Sequence, residues 1–474
     1  MADYPERGSE TMVISSDLAK RIEEELGENV FLCYQCVKCT SGCPVVDFFD
    51  WQPNQIMRAV QLGQEDIALE SQTPWLCASC QTCTTRCPQG LDIAAIMEFL
   101  ARESLERGIE PKIPQVDHLN KAFLHEVKLW GRAYEPGMMA ERFARRPQDM
   151  FDDVQLYITM LKKHKVAFIP KTGRPPKHVK VNPEAVNAIA YYPGCSLHST
   201  GKEYDISARA VAEAVGMKLI EPKGWVCCGS SAAHRSDPEL ASLLPMENLA
   251  LIEQSGFSEV TMPCAACFHR HRSAQYEMRR DPEHKAEVDA ELGYDYQDSV
   301  QISTLSNAIL NHVGPDDVAD KVRKPLEGLK VVCYYGCLLT RPPEITGAEH
   351  VDNPVDIDRL MEALGAEVLD WSYKTSCCGA AHTLTKPEIV VKLSGGLVNH
   401  AREAGADAVV VACPLCHANL DARQFQMDIE EPMPVLYFTQ LMALALGLPE
   451  KEAAFEKNVT DPRPLLREKG LLEA

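Results

Sequence analysis

The sequence predicts a multidomain α+β chain, in which a mostly α-helical N-terminal part is followed by two α/β modules built to one plan. Three observations lead there. The nineteen cysteines of the 474 residues fall almost entirely into tight clusters. From residue 188 onward, short apolar strand segments alternate with helix-length segments, and the alternation runs through twice. Between these parts, residues 171–187 are rich in proline and lack a sustained apolar pattern, which marks a linker. The expected boundaries are 1–170, 171–187, 188–327 and 328–474.

Composition narrows the function. A formal net charge of -20 argues against general nucleic-acid binding. The stretch MADYPERGSETMV lacks the apolar core of an export signal. No segment offers the ~20 apolar residues a membrane span needs, and VLYFTQLMALALGL (435–448) reads as a buried amphipathic helix. A cytoplasmic location is expected, where clustered cysteines are metal ligands or redox groups rather than disulfides. Adjacent cysteines and CxxCxxC runs also suit ordinary disulfide geometry poorly.

Taken in order, SSDLAKRIEEELG reads as a helix capped by Ser16, with Leu18, Ile22 and Leu26 on one face and Gly27 as its stop. CYQCVKCTSGCP (33–44) and CASCQTCTTRCP (77–88) are both CxxCxxCxxxCP, the run that carries [4Fe–4S] cubanes in two-cluster ferredoxins. The fourth cysteine of each run crosses to the other cubane, so one set is Cys33, Cys36, Cys39 and Cys87. The other is Cys77, Cys80, Cys83 and Cys43. A zinc site, needing four ligands, is the weaker alternative. Helical spacing covers residues 51–70, with Ile56, Met57, Val60 and Leu62 as the apolar stripe, and again LDIAAIMEFLARESLERG. Residues 115–165 continue helically with a break at Pro136-Gly137, and Arg142, Arg145 and Arg146 form a basic surface spot that could dock an acidic partner.

The second part carries a duplicated set. Cys195, Cys227, Cys228, Cys264 and Cys267 are followed by Cys337, Cys377, Cys378, Cys413 and Cys416. The gaps are 31 and 35 residues in the first set and 39 and 34 in the second. YYPGC matches YYGC, CCG recurs, and PCAAC answers ACPLC. Strands are expected at NAIAYY, MKLIE and SEVTMP, with helices over 202–215 and 237–255. In the second copy, strands at GLKVVCYY, AEVLDW and ADAVVVA go with helices over 354–364 and 387–404. The cysteines follow the carboxyl ends of the strands, where α/β proteins place ligands and where helix N-termini favour thiolates. Cys333 has no counterpart in the first copy, where Ala190 precedes Tyr-Tyr, and is expected to be an inert strand residue.

These words resemble the CCG cysteine-rich domains of the heterodisulfide reductase B subunit, and residues 1–170 resemble the C subunit of that enzyme. The resemblance implies a dicluster ferredoxin fused to two α/β CCG domains, in the order C then B. It further implies that each five-cysteine set binds a non-cubane [4Fe–4S] cluster, giving two cubane and two non-cubane clusters. In the family a disulfide such as CoM-S-S-CoB is reduced between the non-cubane pair. An oxidoreductase subunit of a hetero-oligomer is therefore expected, acting on a disulfide or thiol substrate. Without a Rossmann glycine fingerprint, it needs a flavin-containing A-like subunit or another electron donor. The competing reading is an electron-transfer subunit linking a flavin or quinone partner to another acceptor. His198, His234, Arg235, His269, His382 and His417 lie near ligand cysteines. His234 and His382 are the favoured catalytic pair, as equivalent positions after the two CCG words.

Overall fold

A computed structural model describes residues 16–148 and 153–473. The N-terminal stretch read for an export signal, and residues 149–152 of the expected helical region, lie outside them. The chain divides into two compact units, one of residues 1–77 and 83–113, the other of residues 78–82 and 114–474. The helices of residues 114–162 thus belong to the second unit, together with the 78–82 loop.

The first unit is helical. Helix Asp17–Leu26 begins at Ser16, whose hydroxyl accepts from the Ala19 N–H at 3.1 Å, and ends at Gly27 with φ 70°. Both caps satisfy backbone groups that the helix leaves unpaired. Leu18 and Ile22 are fully buried against Ile56, Met57, Val60, Ile96 and Leu100. The 51–70 stretch forms two helices, Pro53–Gln61 and Glu65–Glu70, parted by Gly63 at φ 67°. Helix Ile93–Glu106 starts at Asp92, which accepts from Ala95 N at 2.9 Å.

The second unit holds two four-stranded sheets, all parallel. Strands β1 (Ile189–Tyr191), β2 (Leu219–Ile220), β3 (Glu259–Met262) and β4 (Gln301–Thr304) pair in the order β2-β1-β3-β4. Strands β5 (Lys330–Tyr334), β6 (Glu367–Val368), β7 (Ala408–Val411) and β8 (Val435–Tyr437) repeat it as β6-β5-β7-β8. The order reverses direction between β1 and β3, and between β5 and β7, and such a switch opens a crevice at the carboxyl ends of the strands.

The copies pack reciprocally. Helix Lys202–Val215, after β1, lies on helix Phe438–Ala445, after β8. Its counterpart Asp356–Ala363, after β5, lies on Leu305–His312, after β4. Each copy thus offers the other the same two elements, which defines an approximate two-fold axis. Tyr204 stacks on Tyr437 in this interface at 4.2 Å between ring centroids.

Three local expectations change. Pro136 and Gly137 do not break a helix but occupy the first turn of Glu135–Arg145, where proline lacks no needed donor. The break falls at residues 131–134. The basic spot is not an open face, since Arg142 is buried and Arg145 bonds Glu141 at 2.5 Å. Finally, the 435–448 segment opens as strand β8 before its helix, and that helix is buried all round rather than amphipathic. Among the described residues, no helix is long and apolar enough to cross a membrane.

Candidate metal centres

The first cysteine run is shaped by its backbone. Gln35 and Val37, flanking Cys36, have φ 61° and 65°, and Ser79 and Gln81, flanking Cys80, have φ 49° and 59°. Left-handed conformations are costly for such residues, above all for β-branched Val37, so their recurrence marks a functional loop. The buried Gln61 amide donates to the Val30 and Cys33 carbonyls at 2.9 and 2.8 Å, fixing the start of the first run. One cavity is lined by Cys33, Cys36, Cys39 and Cys87 together. Gln35 Nε2 approaches Cys33 Sγ at 3.4 Å. Cys80 lies buried in the second unit. Hydrogen bonding to Cys377 and Thr82, with Arg341 nearby, brings its thiol down to about 6.

The five-cysteine sets assemble alike in both copies. Cys195 follows β1, Cys227 and Cys228 follow β2, and Cys264 and Cys267 follow β3, so all converge on the switch point. Cys337, Cys377, Cys378, Cys413 and Cys416 do the same on the second sheet. Cys228 and Cys267 stand 3.6 Å apart, and Cys378 and Cys416 stand 3.5 Å apart. Gly194 and Gly336, each directly before the first cysteine, have φ 73° and 72°. A Cβ there would lie 2.8 Å from Cys267 Sγ and 2.9 Å from Cys416 Sγ, so only glycine leaves the sulfur its place. The hydroxyl of Tyr192 donates to the Val226 carbonyl at 2.7 Å, and that of Tyr334 to Ser376 at 2.6 Å. Each tyrosine thereby pins the residue before its Cys-Cys pair.

Cys264 and Cys413 interact with each other. They are equivalent residues, so their meeting places them beside the pseudo-axis, with one five-cysteine set on either side. Hydrogen bonds from Cys227 and Cys267 hold Cys228 well below the ordinary thiol range, and Cys416 lowers Cys378 in the same way.

This donor chemistry fits iron–sulfur clusters and not single zinc ions. Four thiolates around one zinc lie within roughly 4 Å of each other. Among the described residues, no three cysteine sulfurs gather mutually within 4.8 Å. Sulfurs that approach in pairs but do not gather in threes or fours around one point suit a multi-iron group.

The histidines scatter. His234 accepts from Arg270 at 3.0 Å on Nδ1 and keeps a partnerless Nε2, and burial holds it neutral. His382 is fully buried, with Nδ1 3.4 Å from Thr385 Oγ1. These two are not equivalent positions: they stand five and three residues past the CCG glycines, one in a helix and one in a single 3₁₀ turn. His198 lies 3.3 Å from Glu221, His269 contacts Ser273, and His417 bonds the Val435 carbonyl. Arg235 reaches Ser79 at 3.4 Å. Cys333 is fully buried in β5 opposite Val410, and its counterpart is Tyr191 opposite Thr261, not Ala190.

Sequence reasoning missed three groups. Arg132 lies 3.5 Å over the Trp225 ring and faces Cys195 and Cys227. His271 bonds the Cys267 carbonyl at 2.7 Å. The buried Arg341 donates to Thr82 Oγ1 and the Thr375 carbonyl, both at 2.9 Å, beside Cys377 and Cys80. None belongs to a recurring word, although Arg341 does follow the YYGC word by four residues.

Comparison with known proteins agrees with this architecture. Residues 32–92 match the 4Fe-4S dicluster domain, and residues 189–270 and 331–421 each match the cysteine-rich CCG domain. The 8-methylmenaquinol:fumarate reductase membrane anchor subunit of Wolinella succinogenes is 34% identical over 286 residues, 58% of this chain and 98% of that protein. The B subunit of the ferredoxin/F(420)H(2)-dependent CoB-CoM heterodisulfide reductase of Methanosarcina acetivorans is 27% identical, covering 57% of this chain and 93% of that protein. The D subunit of the dihydromethanophenazine:CoB–CoM heterodisulfide reductase of Methanosarcina barkeri is 24% identical, covering 88% and 94%. With a dicluster domain and a doubled cysteine-rich domain on one chain, the protein belongs to the heterodisulfide reductase-like iron–sulfur proteins, as a fusion of C-like and B-like parts.

Proposed function

We propose that this chain is the electron-carrying and disulfide-reducing subunit of a hetero-oligomeric oxidoreductase. Cys33, Cys36, Cys39 and Cys87 hold one cubane, and Cys77, Cys80, Cys83 and Cys43 hold the other. Each five-cysteine set holds a non-cubane [4Fe–4S] cluster. The observation that carries the reading is the meeting of Cys264 and Cys413, equivalent members of the two five-cysteine sets, which supports a pair of like sulfur-rich sites next to each other. A disulfide between such sites could hand one sulfur to each side. Its reduction consumes two electrons and two protons and releases two thiols.

When bound, the clusters supply one-electron steps and iron able to stabilise thiolate charge. The chain's own residues do the rest. Gly194 and Gly336 keep room for the second CxxC sulfur, and Tyr192 and Tyr334 fix the Cys-Cys backbone. Arg132 places a fixed positive charge beside Cys195 and Cys227. Of the two favoured histidines, neutral His234 accepts at Nδ1 and so carries its one ring proton on the partnerless Nε2, as a donor, whereas His382 is packed against Thr385.

A second reading, an electron relay between a flavin or quinone partner and another acceptor, is favoured by the kinship with the 8-methylmenaquinol:fumarate reductase subunit. One experiment separates the two. Anaerobic protein with its iron content confirmed is mixed with reduced viologen and a panel of disulfides, CoM-S-S-CoB among them. Turnover with one disulfide, lost in Cys227→Ala or Cys377→Ala, supports disulfide reduction. Reduction of every cluster without turnover on any disulfide moves the function to the relay.

A further inference from the structure

Away from the cysteines, His125 and Glu126 on helix Pro114–Trp130 meet Glu141 on helix Glu135–Arg145. One donor atom from each lies within 4.8 Å of the other two, and among the described residues no other trio of histidine, cysteine or acidic donors does so. His125 Nδ1 stands 3.0 Å from Glu141 Oε2, while Arg145 occupies Glu141 Oε1 and so orients the carboxylate.

Glu126 gives the independent sign of a ligand. The residue is only 6% exposed and its carboxyl bonds Trp130, yet Oε2 has no hydrogen-bond partner. Leaving a buried carboxylate oxygen unpaired is costly, so natural structures rarely tolerate it without an ion or water. Gly137 faces Glu126 from the second helix. A Cβ at that position would lie 2.6 Å from Glu126 Oε2 and closer still to Oε1, so the glycine keeps a pocket for this carboxylate.

We propose that His125, Glu126 and Glu141 hold one divalent cation of the first transition row, apart from the iron–sulfur centres. An imidazole nitrogen with two carboxylate oxygens suits Mn(II), Fe(II) or Zn(II) better than Ca(II) or a thiophilic ion. The cation clips together the two helices whose connecting turn carries Gly131 and Arg132. That turn accepts from the Cys227 N–H at Gly131 O, 2.8 Å, and lays Arg132 on Trp225. The site therefore braces the backbone of the first five-cysteine set. It does not depend on what that set reduces.

The test uses the full chain with its clusters loaded, which keeps the cysteines occupied, and Mn(II), which disfavours sulfur. The free Mn(II) EPR signal is followed during titration. We expect one equivalent to be taken up, with affinity reduced at least tenfold in Glu126→Gln and in His125→Ala. Mn(II) should also raise the unfolding temperature of the wild type and not of His125→Ala. His125 is 54% exposed, so that variant decides the matter even if Glu126→Gln does not fold. No uptake by the wild type, or equal uptake by wild type and His125→Ala, overturns the proposal.

Discussion

Replacing Gly336 with alanine should remove one cluster and spare the rest. The new Cβ would stand 2.9 Å from Cys416 Sγ, whereas a relaxed contact of this kind needs about 3.5 Å or more. Something must move by roughly 0.6 Å, and metal–ligand distances tolerate only about 0.2 Å. The φ of 72° adds a backbone cost of about 1–2 kcal/mol. Gly216→Ala is the matched control, because Gly216 has φ 87° with nothing within 4 Å of its missing Cβ. It bears the backbone cost without the collision. Iron and sulfide per chain, measured on anaerobically purified protein, should fall by about one quarter in Gly336→Ala if four equal clusters are present. Gly216→Ala should keep the wild-type content. Equal iron in the two variants would refute the argument that these glycines make room for sulfur.

Further outcomes follow from single contacts. Tyr334→Phe leaves the Ser376 carbonyl without its donor and should cost about 1 kcal/mol in chemical denaturation, with Tyr192→Phe matching it at Val226. Ser16→Ala removes a helix cap and should lower stability by about 1 kcal/mol in the same assay. Glu135 accepts from Ser199 and Thr200, but burial outweighs those bonds and raises its carboxyl to about 7. Its folded pKa thus exceeds the unfolded one, so any stability it lends is complete below the unfolded value of about 4.5 and fades as pH rises through about 7. Glu135→Gln should therefore flatten the fall in stability between those pH values, by about 1–2 kcal/mol after solvent screening. A slope identical to wild type would remove Glu135 from the account.

Much of the molecule is legible in its sequence because the signals are local. Helix Lys202–Val215 runs over the residues its spacing indicates, and the cap at Ser16 is where a serine before an apolar stripe should be. The cysteine words mark strand ends because a buried strand followed by a turn is a local pattern. Strands β4 and β8 escape because, unlike the other short strands, neither is followed by a cysteine word. β8 also merges into an apolar run that hides its end. Pro136 reads as a breaker and serves as a starter, since only the preceding turn decides which. Arg132 could not be found at all: the Trp225 carbonyl that it bonds is 93 residues away. The shared Tyr-Tyr word also misleads, because Tyr192 corresponds to Tyr334 and the alignment slips by one residue.

The reciprocal packing of the two cysteine-rich copies bears on how this part of the chain can be handled. Each copy uses its partner to cover the apolar sides of Lys202–Val215 and Phe438–Ala445, or of Leu305–His312 and Asp356–Ala363. A truncation after residue 327 would leave the first copy with a greasy flank, prone to self-association. The smallest piece worth expressing therefore spans both copies. Any effort to disable one site while studying the other should use point substitutions and not deletion.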